Sequence, residues 1–379
     1  MTEAIVLFGE SYHHPSILWR TGFLAPDPVV YIEVDRVGTV YVSGLEHGRA
    51  KKQAQVANVA RFDDADFLKR RSGEGEFAAF GAMIAEKLRA AGVDRVRVEP
   101  EFPVALARAI EAEDIVVLSD QPLFEDERRA KTETEAEAVR TSQQAAQSAI
   151  DRVREILRTA EVRDGMLYSD GEALTSARLI AAIESELLAK GCGADGTIAA
   201  GGSGAADPHV SDSGHLPAGK GVIIDIFPFG KSSRYFGDIT RTFVVGEPNE
   251  AWQRMYDAVK GAHLKALSMV RAGVNGREIH RAVCQTLYDA GFGASTNGFE
   301  REGVPAMIHG TGHGVGLEIH EAPLIGYTAT GSIDARTPVT VEPGVYLPGR
   351  GGVRLEDTLV VGEGGPELLT TTPKDLVVL

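Results

Sequence analysis

The sequence predicts two domains: a smaller α/β domain over residues 1–126 and a larger α+β domain over 127–379, built from two similar halves. Three observations predict this. Short apolar runs alternate with amphipathic helical patterns up to about residue 122, a charged connector follows, and beyond it two segments align without gaps at an offset of 100 residues. A length of 379 residues, at ~150 per domain, fits two or three domains.

In the first domain the strand-like runs are Ala4–Phe8, Pro28–Val34, Thr39–Val42, Arg95–Val98 and Ile115–Leu118. Helical periodicity covers Glu46–Val59 and Gly75–Ala91, the latter stopped by Gly92. The connector opens at Pro122 and runs through charged residues to Lys131, which places the boundary near Glu127. The second domain starts with a long amphipathic helix, Thr134–Thr159, then a helix Thr175–Lys190 ending at Gly191. Strands follow at Val222–Phe227 and Ile239–Val245, helices at Glu250–Val270 and Arg277–Ala290, and late strands at Val339–Glu342, Val353–Leu355 and Thr358–Val361. The aligned segments are LIAAIESELLAKGCGA (179–194) and IHRAVCQTLYDAGFGA (279–294), both amphipathic helices closed by Gly-x-Gly-Ala. Thr242-Phe-Val-Val-Gly-Glu247 is echoed by Thr358-Leu-Val-Val-Gly-Glu363. Any two amphipathic helices ending in glycine look alike, but a second echo in the same order favours a duplicated half facing its copy across a cleft.

Composition excludes several classes of function. With 39 basic and 54 acidic residues the formal charge is −15, unfavourable for a nucleic-acid partner. No apolar run approaches the ~18 residues of a membrane span, and the N-terminal MTEAIVLFGESYHH lacks the basic start of a signal peptide. Two cysteines, Cys192 and Cys284, are too few for a disulfide framework or a thiolate zinc site, so the expected compartment is the cytoplasm. Two glycine-rich stretches are decoys. Phe229-Gly-Lys-Ser232 lacks the earlier glycine of a phosphate loop, since Asp225 stands there, and Gly310–Gly316 has glycine at every second position rather than a dinucleotide pattern.

The chemistry lies elsewhere. Asp225 interrupts the apolar run Val222-Ile-Ile-Asp-Ile-Phe, where a carboxylate is costly unless a cation meets it. Thirteen residues on, Asp238 opens the next strand, so a hairpin-like pair can put both carboxylates on one face; a cap or turn role is the alternative for either. His309 and His313 are separated by glycines that rule out a helix, and an extended strand sets them ~13 Å apart at ~3.3 Å per residue. They therefore do not share one ion: one can bind metal while the other reaches substrate along the same groove. His320 follows, and Glu342 and Glu356 each close an apolar strand. Four carboxylates and one imidazole match two divalent ions, and the oxygen-rich set favours manganese, with cobalt or zinc as alternatives.

These segments resemble the pita-bread metallopeptidases, the clan of aminopeptidase P, prolidase, methionine aminopeptidase and creatinase. The matching motifs are Val-Ile-Ile-Asp225, Asp238-Ile-Thr-Arg-Thr-Phe, His309-Gly-Thr-Gly-His313-Gly-Val-Gly-Leu, His320-Glu-Ala-Pro, Val-Glu342-Pro-Gly and Arg354-Leu-Glu356-Asp. The resemblance spans about residues 127–379 and extends more loosely over the first domain. It implies a pita-bread fold with an internal pseudo-twofold repeat and a creatinase-like N-terminal domain. It implies Asp225 on one ion, Asp238 and Glu356 bridging, and His313 and Glu342 on the second. A full ligand set argues against creatinase, and about 125 preceding residues plus His309 argue against methionine aminopeptidase.

The Xaa-Pro branch remains, which implies a two-metal hydroxide mechanism on small proline-containing peptides, in a homodimer. Glu342 is then the general base, His209 and His320 serve the tetrahedral intermediate or the leaving nitrogen, and His309 lines the proline pocket with Arg354 also on substrate. The segment between the two Asp ligands is two residues longer than the family commonly has and carries Lys231 and Arg234, a possible clamp for a free carboxylate. That favours a dipeptidase over aminopeptidase P. A metal-free peptide-binding protein on the same fold is the remote alternative. Further departures are Arg336, where a glycine usually precedes the Glu-Pro-Gly strand, and a shortened N-terminal domain.

Overall fold

A computed structural model describes residues 4–119, 123–211, 213–362 and 364–376; Pro122 of the connector, Glu363 of the second echo and the first three residues lie outside these. The chain divides into two compact units, Met1–Asp126 and Glu127–Leu379. Among the described residues no helix is long and apolar enough to cross a membrane.

The first unit is built on a six-stranded mixed sheet, in the order Asn58–Arg61, Val37–Val42, Val29–Val34, Ala4–Gly9, Arg95–Val98, Val116–Ser119. Alternation along the strands feeds two cores. Ala4, Val6, Val30 and Ile32 face one side, and Ile5, Leu7, Val29 and Tyr31 the other. The helix expected over Glu46–Val59 runs only from Gly44 to Gln53. Its last bond is Ala54 N–H to Ala50 O, and the next amide turns away to the Thr21 carbonyl at 2.7 Å. The residues beyond it form the edge strand Asn58–Arg61, parallel to Val37–Val42. Three helices that periodicity did not reveal, Pro15–Thr21, Ala65–Glu74 and Val104–Glu111, are each ten residues or shorter.

The second unit repeats one plan. Helix Glu133–Arg158, started by a reciprocal Thr132–Glu135 capping box, packs on helix Ser176–Ala189; helix Glu250–Met269 packs on helix Gly276–Asp289. The aligned segments take equivalent places, each a shorter helix followed by a two-residue strand, Cys192–Gly193 and Gly293–Ala294. Each helix pair has its own core. The first packs on Val222, Ile224 and Ile226 with Ile239 and Phe243; the second packs on Val339, Val341, Val353, Leu359 and Val361. Strand Val222–Ile226 is central in an antiparallel sheet with Ile198–Gly201 and Ile239–Phe243. The second half contributes a five-stranded sheet, containing Gly312–Gly314, Pro338–Val341 and Asp357–Gly362, and a four-stranded sheet containing the hairpin Gly344–Leu347 with Gly351–Arg354.

The halves are joined where the acidic strands meet. Glu356 N–H donates to Thr240 O at 3.0 Å, Thr242 Oγ1 to Arg354 O at 2.8 Å, and Thr358 Oγ1 to Asp238 O at 2.7 Å. Arg241, 2% exposed, pairs with Asp357 at 2.8 Å and donates to the Thr372 carbonyl. A buried guanidinium with a carboxylate and several carbonyls around it is a satisfied charge, and it fixes this seam.

Candidate metal centre

Strand periodicity decides which side chains meet. In Val222–Ile226 the even positions enter the first core, leaving Asp225 on the opposite face. Asp225 stands directly across from Thr240, and Asp238 lies two residues earlier on that same face. In the second half Val339 and Val341 point into the core, which turns Thr340 and Glu342 the other way; Val353 and Leu355 do the same for Arg354 and Glu356. Three strand systems thus present polar residues to one space, which is why single carboxylates interrupt apolar runs in the sequence.

The alternate glycines around His313 make this convergence possible. A Cβ at Gly312 would lie 2.0 Å from the Thr340 carbonyl oxygen, and one at Gly314 would lie 2.3 Å from that of Ala322. The flanking strands can approach His313 only because these side chains are missing. The pattern that resembled a phosphate cradle is a packing requirement.

Asp238, His313 and Glu356 each offer a ligand atom within 4.8 Å of the others, and all three residues are buried. His313 Nε2 lies 3.7 Å from Asp238 Oδ2 and 3.4 Å from Glu342 Oε1. Its Nδ1 donates to the Gly314 carbonyl at 3.0 Å, so the lone pair is on Nε2 and faces the carboxylates. Burial and the neighbouring His320 push His313 down to about 4, keeping the imidazole neutral. Asp225 accepts a 2.6 Å bond from Arg354, and Thr240 donates to Glu356 Oε2 at 2.9 Å. One oxygen on each of Asp225, Asp238 and Glu356 remains buried without a hydrogen-bond partner.

Electrostatics point the same way. Burial, then the charges of Glu356, Asp225 and Glu342, holds Asp238 well above the usual carboxylate range. Glu342 is raised by burial and Glu356, and Glu356 is pushed up to about 8 by burial and Asp225. Orphaned buried oxygens beside a neutral imidazole nitrogen form a donor set that fits divalent cations. The residues that would hold them are Asp225, Asp238, His313, Glu342 and Glu356.

The remaining expected residues fall around this centre. Arg354, expected on substrate, is buried and directs its donors to Asp225, Tyr346 (2.9 Å) and Thr240 (3.2 Å). It offsets the charge of Asp225 and fixes that carboxylate's orientation. His309 donates from Nδ1 to the Gly310 carbonyl at 2.7 Å, so Nε2 accepts from the Tyr346 hydroxyl at 2.9 Å. Burial and Arg354 push it down to about 3, leaving a neutral ring whose two nitrogens are both engaged. His320 packs edge-on against the His313 ring, centroids 4.4 Å apart, and is lowered by burial and by His209 but raised by Asp225. His209 is exposed.

Lys231 and Arg234 belong to a loop that folds back on its own half. Phe229–Gly230 pairs with Cys192–Gly193, Lys231 N–H donates to Gly191 O at 3.0 Å, and the Arg234 guanidinium lies 4.0 Å over the Phe229 ring. Ser142 Oγ bonds the Tyr235 carbonyl and Tyr235 Oη bonds Glu135, tying the loop to helix Glu133–Arg158.

Three residues escaped the sequence reading. Tyr346 links His309 to Arg354, Thr240 links Arg354 to Glu356, and Gln143 grips the Asp238 backbone from both sides, accepting from N–H at 2.7 Å and donating to O at 2.9 Å. Gln143 did carry a signal. It is a polar residue on the apolar stripe of Val139, Ala146 and Ile150, all buried.

A family model described as metallopeptidase family M24 matches residues 137–363. An Xaa-Pro dipeptidase of Pyrococcus furiosus is 30% identical over 360 residues, covering 92% of this chain and 88% of that one. Among solved structures, an Xaa-Pro dipeptidase from Bacillus anthracis superposes with a TM-score of 0.83 at 24% identity, covering 100% of this chain and 95% of that chain. An X-Pro aminopeptidase from Thermotoga maritima gives 0.81 at 23%, covering 100% and 97%. Both superpositions bear on the fold, which is the pita-bread arrangement.

Proposed function

This chain belongs to metallopeptidase family M24, and we propose that it is an Xaa-Pro dipeptidase, hydrolysing small peptides whose second residue is proline. The observation that carries metal-dependent hydrolysis is the convergence of Asp225, Asp238, His313, Glu342 and Glu356, with three carboxylate oxygens buried and unpartnered. The Xaa-Pro preference is supported by similarity to the Pyrococcus furiosus dipeptidase along nearly the whole chain.

Divalent ions in this set supply Lewis-acid polarisation of the scissile carbonyl and acidify water toward neutral pH. The chain's own groups do the rest. Glu342, beside His313 and partly accessible, takes the proton of the attacking water. His320 and His209 stabilise charge on the tetrahedral carbon's oxygen or protonate the leaving proline nitrogen. The engaged, neutral His309 offers only its ring, which suits packing against a proline side chain. Arg354 holds Asp225 in place through its 2.6 Å bond. Lys231 and Arg234 are the candidates for binding a dipeptide's free carboxylate.

Manganese as the resident ion is supported by the oxygen-rich donors, and a cytoplasmic homodimer by the family resemblance. The test is a rate comparison on manganese-loaded protein. Ala-Pro should be cleaved with higher kcat/KM than longer Xaa-Pro peptides. A reversed order moves the assignment to aminopeptidase P, and cleavage of neither removes the Xaa-Pro reading.

A further inference from the structure

Away from the carboxylate cluster, a cavity of about 460 Å³ opens beside the start of helix Glu250–Met269. Small-molecule sites typically measure ~300–1,000 Å³. Its walls are apolar: Trp252, Met255 and Phe292 line it, each less than a tenth exposed. Its rim carries the exposed cations Lys220, Arg254 and Arg350. Among the described residues none of the three has an ion-pair partner, and no aspartate or glutamate lines the cavity. In a chain of formal charge −15 this is a local reversal of sign. Asn249 and Ala251, at the start of the helix, also line the cavity, and the Asn249 side chain accepts from Trp252 N–H at 3.1 Å.

We infer that this cavity binds a small organic anion with a flat apolar body and one acidic group, such as an aryl carboxylate or sulfonate. The rings would lie against Trp252, Met255 and Phe292, with the acid between Arg254 and Arg350. None of the proposed metal ligands or histidines lines the cavity. Binding here therefore does not depend on peptide hydrolysis.

The chain has two tryptophans, Trp19 and Trp252, so a Trp19→Phe variant leaves Trp252 as the sole indole reporter. The probe is 1-anilinonaphthalene-8-sulfonate, compared with the neutral N-phenyl-1-naphthylamine, which keeps the rings and lacks the acid. Titration should quench Trp252 saturably with one equivalent, and the neutral compound should bind roughly tenfold or more weakly for want of charge-assisted hydrogen bonds. Arg254→Leu with Arg350→Leu should raise the sulfonate's Kd by about tenfold or more without changing the melting temperature appreciably. Equal affinity for both compounds, an unaffected double variant, or no quenching would overturn the inference. So would quenching that tracks self-association in sedimentation, because a second copy would then fill the cavity.

Discussion

Gln143 offers a direct test of how the scaffold holds a proposed ligand without touching its carboxylate. It is fully buried, and its amide binds the Asp238 backbone at both N–H and O, and also Thr370 Oγ1 at 2.9 Å. In Gln143→Ala the Asp238 carbonyl still accepts from Thr358 Oγ1, and Thr370 still contacts Thr358. The Asp238 N–H alone is left buried and unpaired, which costs ~1–3 kcal/mol. Loss of a buried methylene adds about 0.8 kcal/mol, so the expected destabilisation is roughly 2–4 kcal/mol. Urea unfolding in the Trp19→Phe background reports on the catalytic unit alone, because Trp252 lies in it. With Asp238 loosened, manganese affinity measured by calorimetry should fall about tenfold while the far-ultraviolet spectrum stays native. A loss of less than about 0.5 kcal/mol, the range of an ordinary surface change, with unchanged metal affinity would show that Gln143 does not hold Asp238 in place.

Asp238→Asn and Glu356→Gln should each abolish turnover and lower metal content by elemental analysis; full occupancy with normal turnover would remove them from the centre. Glu342→Gln should lose far more in kcat than in KM, whereas His309→Ala should chiefly raise KM for proline substrates, and identical defects would dissolve that division of roles. Lys231→Ala with Arg234→Ala should depress Ala-Pro cleavage roughly ten- to a hundredfold, the loss of a charge-assisted bond, and spare an Xaa-Pro tripeptide amide. Because the Arg234 ring contact is structural, melting temperature must be followed alongside. His280 bonds Thr311 and Thr296, and burial pushes it down to about 4 from an ordinary 6.5. The unfolded chain therefore binds the extra proton first, so stability holds above pH ~7 and falls as pH drops through 6.5 toward 4. The loss at pH 5 is ~2 kcal/mol, and His280→Gln should remove that share of the slope in denaturant titrations.

Much of the second unit was legible because burial leaves one-residue marks in sequence. Asp225 among isoleucines stood out because a carboxylate there is costly unless a cation meets it, and the Arg354 guanidinium does so at 2.6 Å. Helix ends were read correctly at Gly92 and Gly191, where the backbone takes φ of +71° and +76°. The first unit's edge strand Asn58–Arg61 was hidden, since its pairing with Val37–Val42 is tertiary and its own segment continues a helical pattern. Tyr346 was hidden for another reason. Its contacts to His309 and Arg354 depend on hairpin register, in which it stands opposite Gly352, and on space at Gly344 and Gly352 for its ring. The loop of Lys231 and Arg234 showed its length and charge, but not the Gly191 and Ser142 contacts that hold it.

A two-ion centre that hydrolyses Xaa-Pro bonds can be challenged by restoring manganese stepwise to chelator-treated protein. Bound metal and Ala-Pro turnover are measured on the same samples. The expected result is no turnover without metal and activity rising to a plateau at about two ions per chain, matching the four carboxylates and one imidazole of the cluster. Turnover that survives complete metal removal, or a chain that fills with two ions and leaves Ala-Pro intact, would contradict it.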